Sequence, residues 1–232
     1  MKIFRILISI TIPIFLIMLF ASLLTTKSYI MISKGLYDSH DYITYDHEYA
    51  AERIMGYLNY RYDDLYFGEN KEVTEDTCIR RELNIRSISD STEGLCMMRE
   101  LEISHMVDVK NLYTTLRLAA LGSLIIGVSL SLYLFKYNKK ELYKTFKTMH
   151  YAPILFVMVV GGYMVIDFDK AFTIFHQLFF TNDDWQLYSN DVLILLLPEN
   201  FWMVSGSIIL LLFCGSLGLL YYLFRFRKLF CY

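Results

Sequence analysis

The sequence predicts an all-α membrane protein, a four-transmembrane-helix bundle with a small mixed α/β extracytoplasmic cap between spans 1 and 2. Three observations carry that prediction. The runs 6–24, 118–135, 151–166 and 204–224 contain no Asp, Glu, Lys or Arg, and a helix needs roughly 17 to 25 mostly apolar residues to cross the hydrocarbon core. The chain is 55% hydrophobic and 16% aromatic with a mean hydropathy of +0.37, the composition of a small polytopic membrane protein. The segments between the runs alternate in charge, which sets an orientation.

Ten basic residues lie in three of those segments against a single acid, Glu141: Lys2 and Arg5 at the start, Lys136, Lys139, Lys140, Lys144 and Lys147 after the second run, and Arg225, Arg227 and Lys228 in the tail. Basic excess marks the cytoplasmic side. The other two segments are acidic, with 10 basic and 17 acidic residues over 25–111 and one basic and six acidic over 167–200. Within a single membrane domain, 1–232, the expected order is span 1 at 6–24, cap at 25–111, span 2 at 114–135, cytoplasmic loop at 136–150, span 3 at 151–171, an outer histidine-containing segment at 172–200, span 4 at 201–224 and tail at 225–232. Both termini then face the cytoplasm.

Span 1 is longer than the 7 to 15 residues of a secretory apolar core, and Ala21-Ser22-Leu23 is a poor cleavage site, so it reads as an uncleaved anchor. No Leu-x-x-Cys box lies near it, so the chain does not read as itself a lipoprotein. In the cap, 45–60 has helical spacing at Tyr49, Arg53, Ile54, Tyr57 and Leu58, with Asp46 as N-cap. Gly, Asn, Ser, Thr and charges dominate 67–92, where β-capable pieces such as Cys78, Ile79 and 85–88 predict short strands or irregular loop. A helical pattern resumes over 100–118 and runs into span 2.

Ser123 and Gly127 in span 2, Gly161 and Gly162 in span 3, and Gly206, Gly215 and Gly218 in span 4 permit close helix approach. Pro13 interrupts span 1, and Pro153 suits a first helical turn. The third apolar run is short, and the helix is expected to continue past Asp167 and Asp169 toward Ala171 or His176. Cys78 and Cys96 fall in an oxidising compartment, where a disulfide would contribute roughly 3 kcal/mol. The alternative is a free, inert pair. No cysteine spacing matches a metal site.

Two histidines stand out. His105 lies in ISHMVDVK and His176 in FHQLFFTNDDWQL, each beside a span and both on the same predicted side. Ionisable groups at membrane depth are costly and mark function. On a helix Asp108 shares a face with His105, where a carboxylate raises imidazole basicity and fixes its tautomer. The other reading of this pair is an exposed helix start with a local ion pair. His176 is flanked by phenylalanines, with Phe172, Phe179 and Phe180 on its helical face, and desolvation there would keep it neutral and able to accept a proton. The competing reading is an interfacial aromatic belt with one snorkelling histidine.

These blocks, with the DVLILLLPENFW stretch that follows, resemble the lipoprotein intramolecular transacylase (Lit) family of four-span bacterial membrane proteins. The family pattern H-M-x-D-V-K is matched at His105, Met106, Asp108, Val109 and Lys110, and F-H-x-x-F-F-x-N-D-x-W at Phe175, His176, Phe179, Phe180, Asn182, Asp183 and Trp185. The likeness covers all four spans and is weak over 34–98. Tyr188-Ser189-Asn190 lacks the family's proline, and Trp202 stands where a phenylalanine is usual.

The resemblance implies acyl transfer within one lipoprotein molecule in low-GC Gram-positive bacteria. The sn-2 acyl chain of an S-diacylglyceryl cysteine moves to that cysteine's own α-amine, leaving the lyso form. On this reading His105 and His176 supply general acid and base. Asp108, Asn182, Asp183 and Glu199 orient them or bind the amine or oxyanion, and Lys110, Phe179, Phe180 and Trp185 contact substrate. Ester-to-amide transfer is downhill, so no cofactor and no metal is expected. The partners are diacylglyceryl-modified lipoproteins and membrane lipid, and the sequence leaves oligomeric state open.

Two other classes stay in view. A metal-dependent hydrolase would gather His105, His176 and Asp183 around zinc, although no H-E-x-x-H is present and Asp38, His40, Asp41, Asp46, His47 and Glu48 look like solvated polar turns. A non-enzymatic sensor or scaffold would use the cap to bind a partner. The dispersed basic residues meet anionic lipid and exclude a nucleic-acid role.

Overall fold

Span 1 forms α1, Lys2–Leu24, in a computed structural model that describes residues 2–35, 47–66, 98–189 and 191–226. The further helices are α2 (Lys27–Lys34), α3 (His47–Leu58), α4 (Glu100–Tyr137), α5 (Lys139–Thr148), α6 (Tyr151–Ile166), α7 (Phe168–Phe179), α8 (Val192–Leu196) and α9 (Glu199–Phe226). Among the described residues, four stretches are long and apolar enough to cross a membrane: α1, α4, α5 with α6, and α9 up to Phe224. The protein is a mostly helical membrane protein. Among the described residues there is no strand, so the described part of the cap is helical and the mixed α/β cap is not supported. The stretches expected to be β, Cys78, Ile79 and 85–88, lie outside the described residues, as do the Asp46 cap and both cap cysteines.

The chain divides into two compact units. One comprises Met1–Leu23, Thr114–Phe172 and Ser205–Tyr232. Its core joins Ile8 of α1, Leu134 of α4, Leu142 and Phe146 of α5, Val157 of α6, and Phe213 and Leu217 of α9. Small residues serve it unevenly. A Cβ on Gly127 would stand 2.7 Å from the Ile12 side chain and 2.9 Å from Thr11 Oγ1, so here α1 and α4 do approach through a glycine. At Gly162, Gly206, Gly215 and Gly218 the same atom would meet nothing within 4 Å.

Span 3 departs from expectation at its C-terminal end. Helix α6 stops at Ile166, and Asp167, extended at φ −152°, interrupts the run. The Asp167 carboxylate accepts the Lys170 N–H at 3.0 Å, so the acid expected inside a continuing helix instead starts a new one, α7.

The second unit comprises Leu24–Tyr113 and Thr173–Val204. Thr26 caps α2 by accepting the Tyr29 N–H, and Lys27 bridges Glu48 at 3.1 Å and Glu52 at 3.0 Å on α3. Ile30, Ala51, Ile54, Met106, Val192, Leu193 and Phe201 share one buried cluster. The expected helices over 45–60 and 100–118 are present as α3 and the start of α4.

Candidate active site

Both histidines belong to the second unit, and the structure brings them together. The first turns of α4, before the apolar stretch 114–135, carry His105, and the last turn of α7 carries His176. Their ring centroids are 5.7 Å apart, and each residue is more than nine-tenths buried. Phe180 lies against both, 5.1 Å from the His105 ring and 5.5 Å from the His176 ring. Trp185 closes on His176 from the following turn at 5.0 Å, with its plane tilted by 30°. Phe175 meets His176 edge-on, while Phe179 packs on Phe175 at 4.9 Å and is 43% exposed.

The acid beside His105 pulls in the expected direction but is outweighed. Asp108 accepts from Asn182 Nδ2 at 2.7 Å, and among the described residues His105 Nδ1, although buried, has no hydrogen-bond partner. Burial first, then the neighbouring His176, lowers the His105 pKa from 6.5 to about 4, against the upward pull of Asp108 and Asp184. Two nearby carboxylates therefore do not offset the loss of water, and the imidazole is neutral at physiological pH.

A pH dependence follows with a definite sign. The unfolded chain takes up the His105 proton near 6.5 and the folded chain only near 4, so the unfolded state binds more protons between these values. Stability from this residue is complete above pH 6.5 and declines as pH falls toward 4. Thermal unfolding in detergent should show the melting advantage of the wild type over His105→Ala shrinking across that window. A constant difference would mean that His105 is not buried as described.

Sequence reasoning missed the clamp that holds this pair. Ser104 Oγ donates to Asp184 at 2.5 Å, and the Asp184 N–H donates to Asn182 Oδ1 at 3.2 Å. Ser104 and Asp108, one helical turn apart and flanking His105, thus fasten the turn 182–184 to α4. Farther up α4, Glu102 is almost fully buried and accepts the N–H of Arg99 at 2.8 Å and of Leu193 at 2.9 Å. Burial pushes its carboxyl up to about 7, outweighing those two bonds. Arg99 pairs with buried Asp191, which also accepts the Tyr188 N–H at 2.7 Å, and the guanidinium lies 4.3 Å from the Tyr188 ring centroid. The one signal in the sequence was the repeat of Glu102, His105 and Asp108 every three residues.

The remaining expected site residues are placed as follows. Lys110 stands 3.8 Å over the Tyr57 ring and 4.7 Å from that of Tyr60. Asp183 is exposed and accepts from Gln186 Nε2 at 2.8 Å. Glu199 is exposed in the first turn of α9, where an acid complements the helix dipole. Among the described residues no group of three or more His, Cys, Asp or Glu is arranged to hold a metal ion.

Comparison with known proteins bears on the family and the fold. No curated protein matches the sequence significantly. Three solved structures of the membrane integral lipoprotein intramolecular transacylase Lit from Bacillus cereus do match in fold. One is 23% identical with a TM-score of 0.70, covering 97% of this chain and 94% of the other. The other two are variants with a histidine replaced by arginine or alanine. Each is 22% identical with a TM-score of 0.66, covering 97% of this chain and 90% or 92% of the other. The family model described as lipoprotein intramolecular transacylase Lit matches residues 2–202, and the chain accordingly belongs to that family of membrane acyltransferases.

Proposed function

We propose that this protein moves the sn-2 acyl chain of an S-diacylglyceryl-cysteine lipoprotein to the α-amine of the same cysteine, using His105 and His176 as general base and general acid. The observation that carries the reading is the buried pair of imidazoles 5.7 Å apart against one phenylalanine, within a chain of this family. The amine nitrogen bonds to the ester carbonyl carbon. The carbon–oxygen bond to glycerol then breaks, and the oxygen leaves as a hydroxyl after taking a proton.

His105 suits the base. It is neutral, its Nδ1 is unoccupied among the described residues, and Asp108 and Asp184 stabilise the imidazolium that forms when it accepts a proton. An α-amine has an unperturbed pKa near 7.7 to 8.0, and its proton becomes more acidic as the nitrogen joins the carbonyl carbon. His176, beside the tilted Trp185 ring, then serves as the acid for the departing glycerol oxygen. The second amide proton of Asn182 is a donor to the oxyanion, and Asp183 and Glu199 are available to the incoming amine. Phe179, Phe180 and Trp185 line the acyl chain, and Lys110, held over its tyrosines, meets polar parts of the lipoprotein. Nucleophile and ester sit on one substrate, so positioning contributes much of the acceleration, up to roughly 7 to 11 kcal/mol.

The basic segments favour a cytoplasmic location for both termini, and on this reading the histidines work on the extracytoplasmic side, where mature lipoproteins reside. Mass spectrometry of the N-terminal lipopeptide of a native lipoprotein, from cells with and without the chain, tests the reaction. The expected product is an N-acyl, monoacylglyceryl cysteine that appears only with the chain. An unchanged diacylglyceryl cysteine beside fully inserted protein would refute it.

A further inference from the structure

The segment between Asn182 and Leu193 is fastened at four points to α4 and the residue that precedes it. Its upstream end is held by Asp108 on Asn182 and Ser104 on Asp184, and its downstream end by Arg99 on Asp191 and Glu102 on Leu193. Trp185 hangs between these anchors with its ring on His176. Every anchor on α4 lies within two turns of His105.

Glu102 differs from the other three. One carboxylate oxygen closes its own helix, accepting the N–H of Arg99 three residues back, as the acid of a capping box does. The second oxygen accepts the N–H of Leu193 in the next segment. Asp191, at the N-cap position of α8, makes no side-chain bond to its own helix because its carboxylate is taken by Arg99 and the Tyr188 N–H. The two stretches exchange acids: Glu102 accepts the α8 N–H that Asp191 does not, and Asp191 pairs with the Arg99 guanidinium beside the start of α4. Such an exchange fixes register as well as proximity, since each bond needs a defined atom on the other segment.

We propose that Glu102 is a positioning residue for acyl transfer, whose carboxylate sets where the Trp185-bearing segment stands and thereby holds His176 against His105. It touches no reacting atom and acts through Leu193, the downstream anchor, and Trp185. Glutamine keeps the length but puts an NH2 group against one of the two N–H donors. Aspartate keeps the charge, caps its own helix and falls short of Leu193. Both changes should release the same end of the segment, and with it the hold on His176, while leaving the Ser104 and Asp108 anchors and His105 in place.

The test uses full-length protein in detergent with a Trp202→Phe background, so that Trp185 is the one remaining tryptophan, and a synthetic diacylglyceryl-cysteine peptide as substrate. Glu102→Gln and Glu102→Asp are expected to brighten and red-shift Trp185 emission as the indole leaves the imidazole. They should lower kcat by about ten- to a hundredfold, as small misplacements do, with KM unchanged. In the wild type, the Leu193 amide should exchange slowly with solvent. Unchanged emission, unchanged kcat or a rapidly exchanging Leu193 amide in the wild type would each overturn the proposal. It rests on the histidine reading, and the two fail differently. A fully active His105→Ala protein removes that reading, whereas emission and amide exchange report on the anchor without reference to turnover.

Discussion

Replacing His105 or His176 with alanine is expected to lower acyl transfer by about 10² to 10⁴-fold, the usual range for loss of a positioned acid or base. The double variant should be little worse than either single one, because groups that act on one transition state fail together. The measurement is conversion of a diacylglyceryl-cysteine peptide by purified variants, with circular dichroism and melting to show that each is folded. His105 is the harder case, since it is buried beside Met106 and against Phe180 and its truncation leaves a cavity. Asparagine at this position, closer in volume and without a titrating nitrogen, should lose as much activity with less loss of melting temperature. A folded His105→Asn or His176→Ala protein that converts the peptide at the wild-type rate would end the two-histidine mechanism. Strictly additive losses would instead indicate that the two imidazoles act in separate steps.

Much of this site was legible before any coordinates, and the manner of its holding was not. The runs without charge define the four membrane helices because the hydrocarbon core tolerates few charges, and charge alternation puts His105 and His176 in segments of the same sign. The repeat over 100–118 correctly leads α4 into span 2, since an uninterrupted apolar period leaves no place for a break. Asp167 was misread because an acid at the end of a span is compatible both with a continuing helix and with a cap, and the choice depends on backbone geometry that spacing does not encode. Asp108 does pull the His105 pKa upward, but its hydrogen bond goes to Asn182, 74 residues away in sequence. The clamp as a whole joins residues 74 to 92 positions apart, Asp108 to Asn182, Ser104 to Asp184, Glu102 to Leu193 and Arg99 to Asp191. No local period reports such pairs. A buried acid such as Glu102 between Leu101 and Ile103 reads as an exposed helix start until its two N–H partners are seen.

The largest effect on stability is expected at Arg99. Its guanidinium pairs with Asp191, whose side chain is 2% exposed, while its own side chain keeps 16% of its surface. Removing one member of a buried pair strands the other, at a cost of roughly 3 to 5 kcal/mol, and the partial exposure of Arg99 places Arg99→Met near the lower figure, about 3 kcal/mol. Asp191 would retain the Tyr188 N–H but lose its counter-charge, while Tyr188 loses the cation beside its ring. If the penalty arises from the stranded carboxylate, adding Asp191→Leu to Arg99→Met should recover at least about 1 kcal/mol, because two apolar side chains can fill the space that the ions leave. Denaturant or thermal unfolding in a fixed detergent, applied to wild type, both single variants and the double, closes the cycle. A double variant as unstable as the sum of the singles would show that Arg99 and Asp191 are not coupled. Arg99→Met within about 0.5 kcal/mol of wild type would show that Asp191 reaches water. In either case the downstream end of the Trp185 segment would be held by Glu102 on Leu193 without the second anchor that the pair supplies.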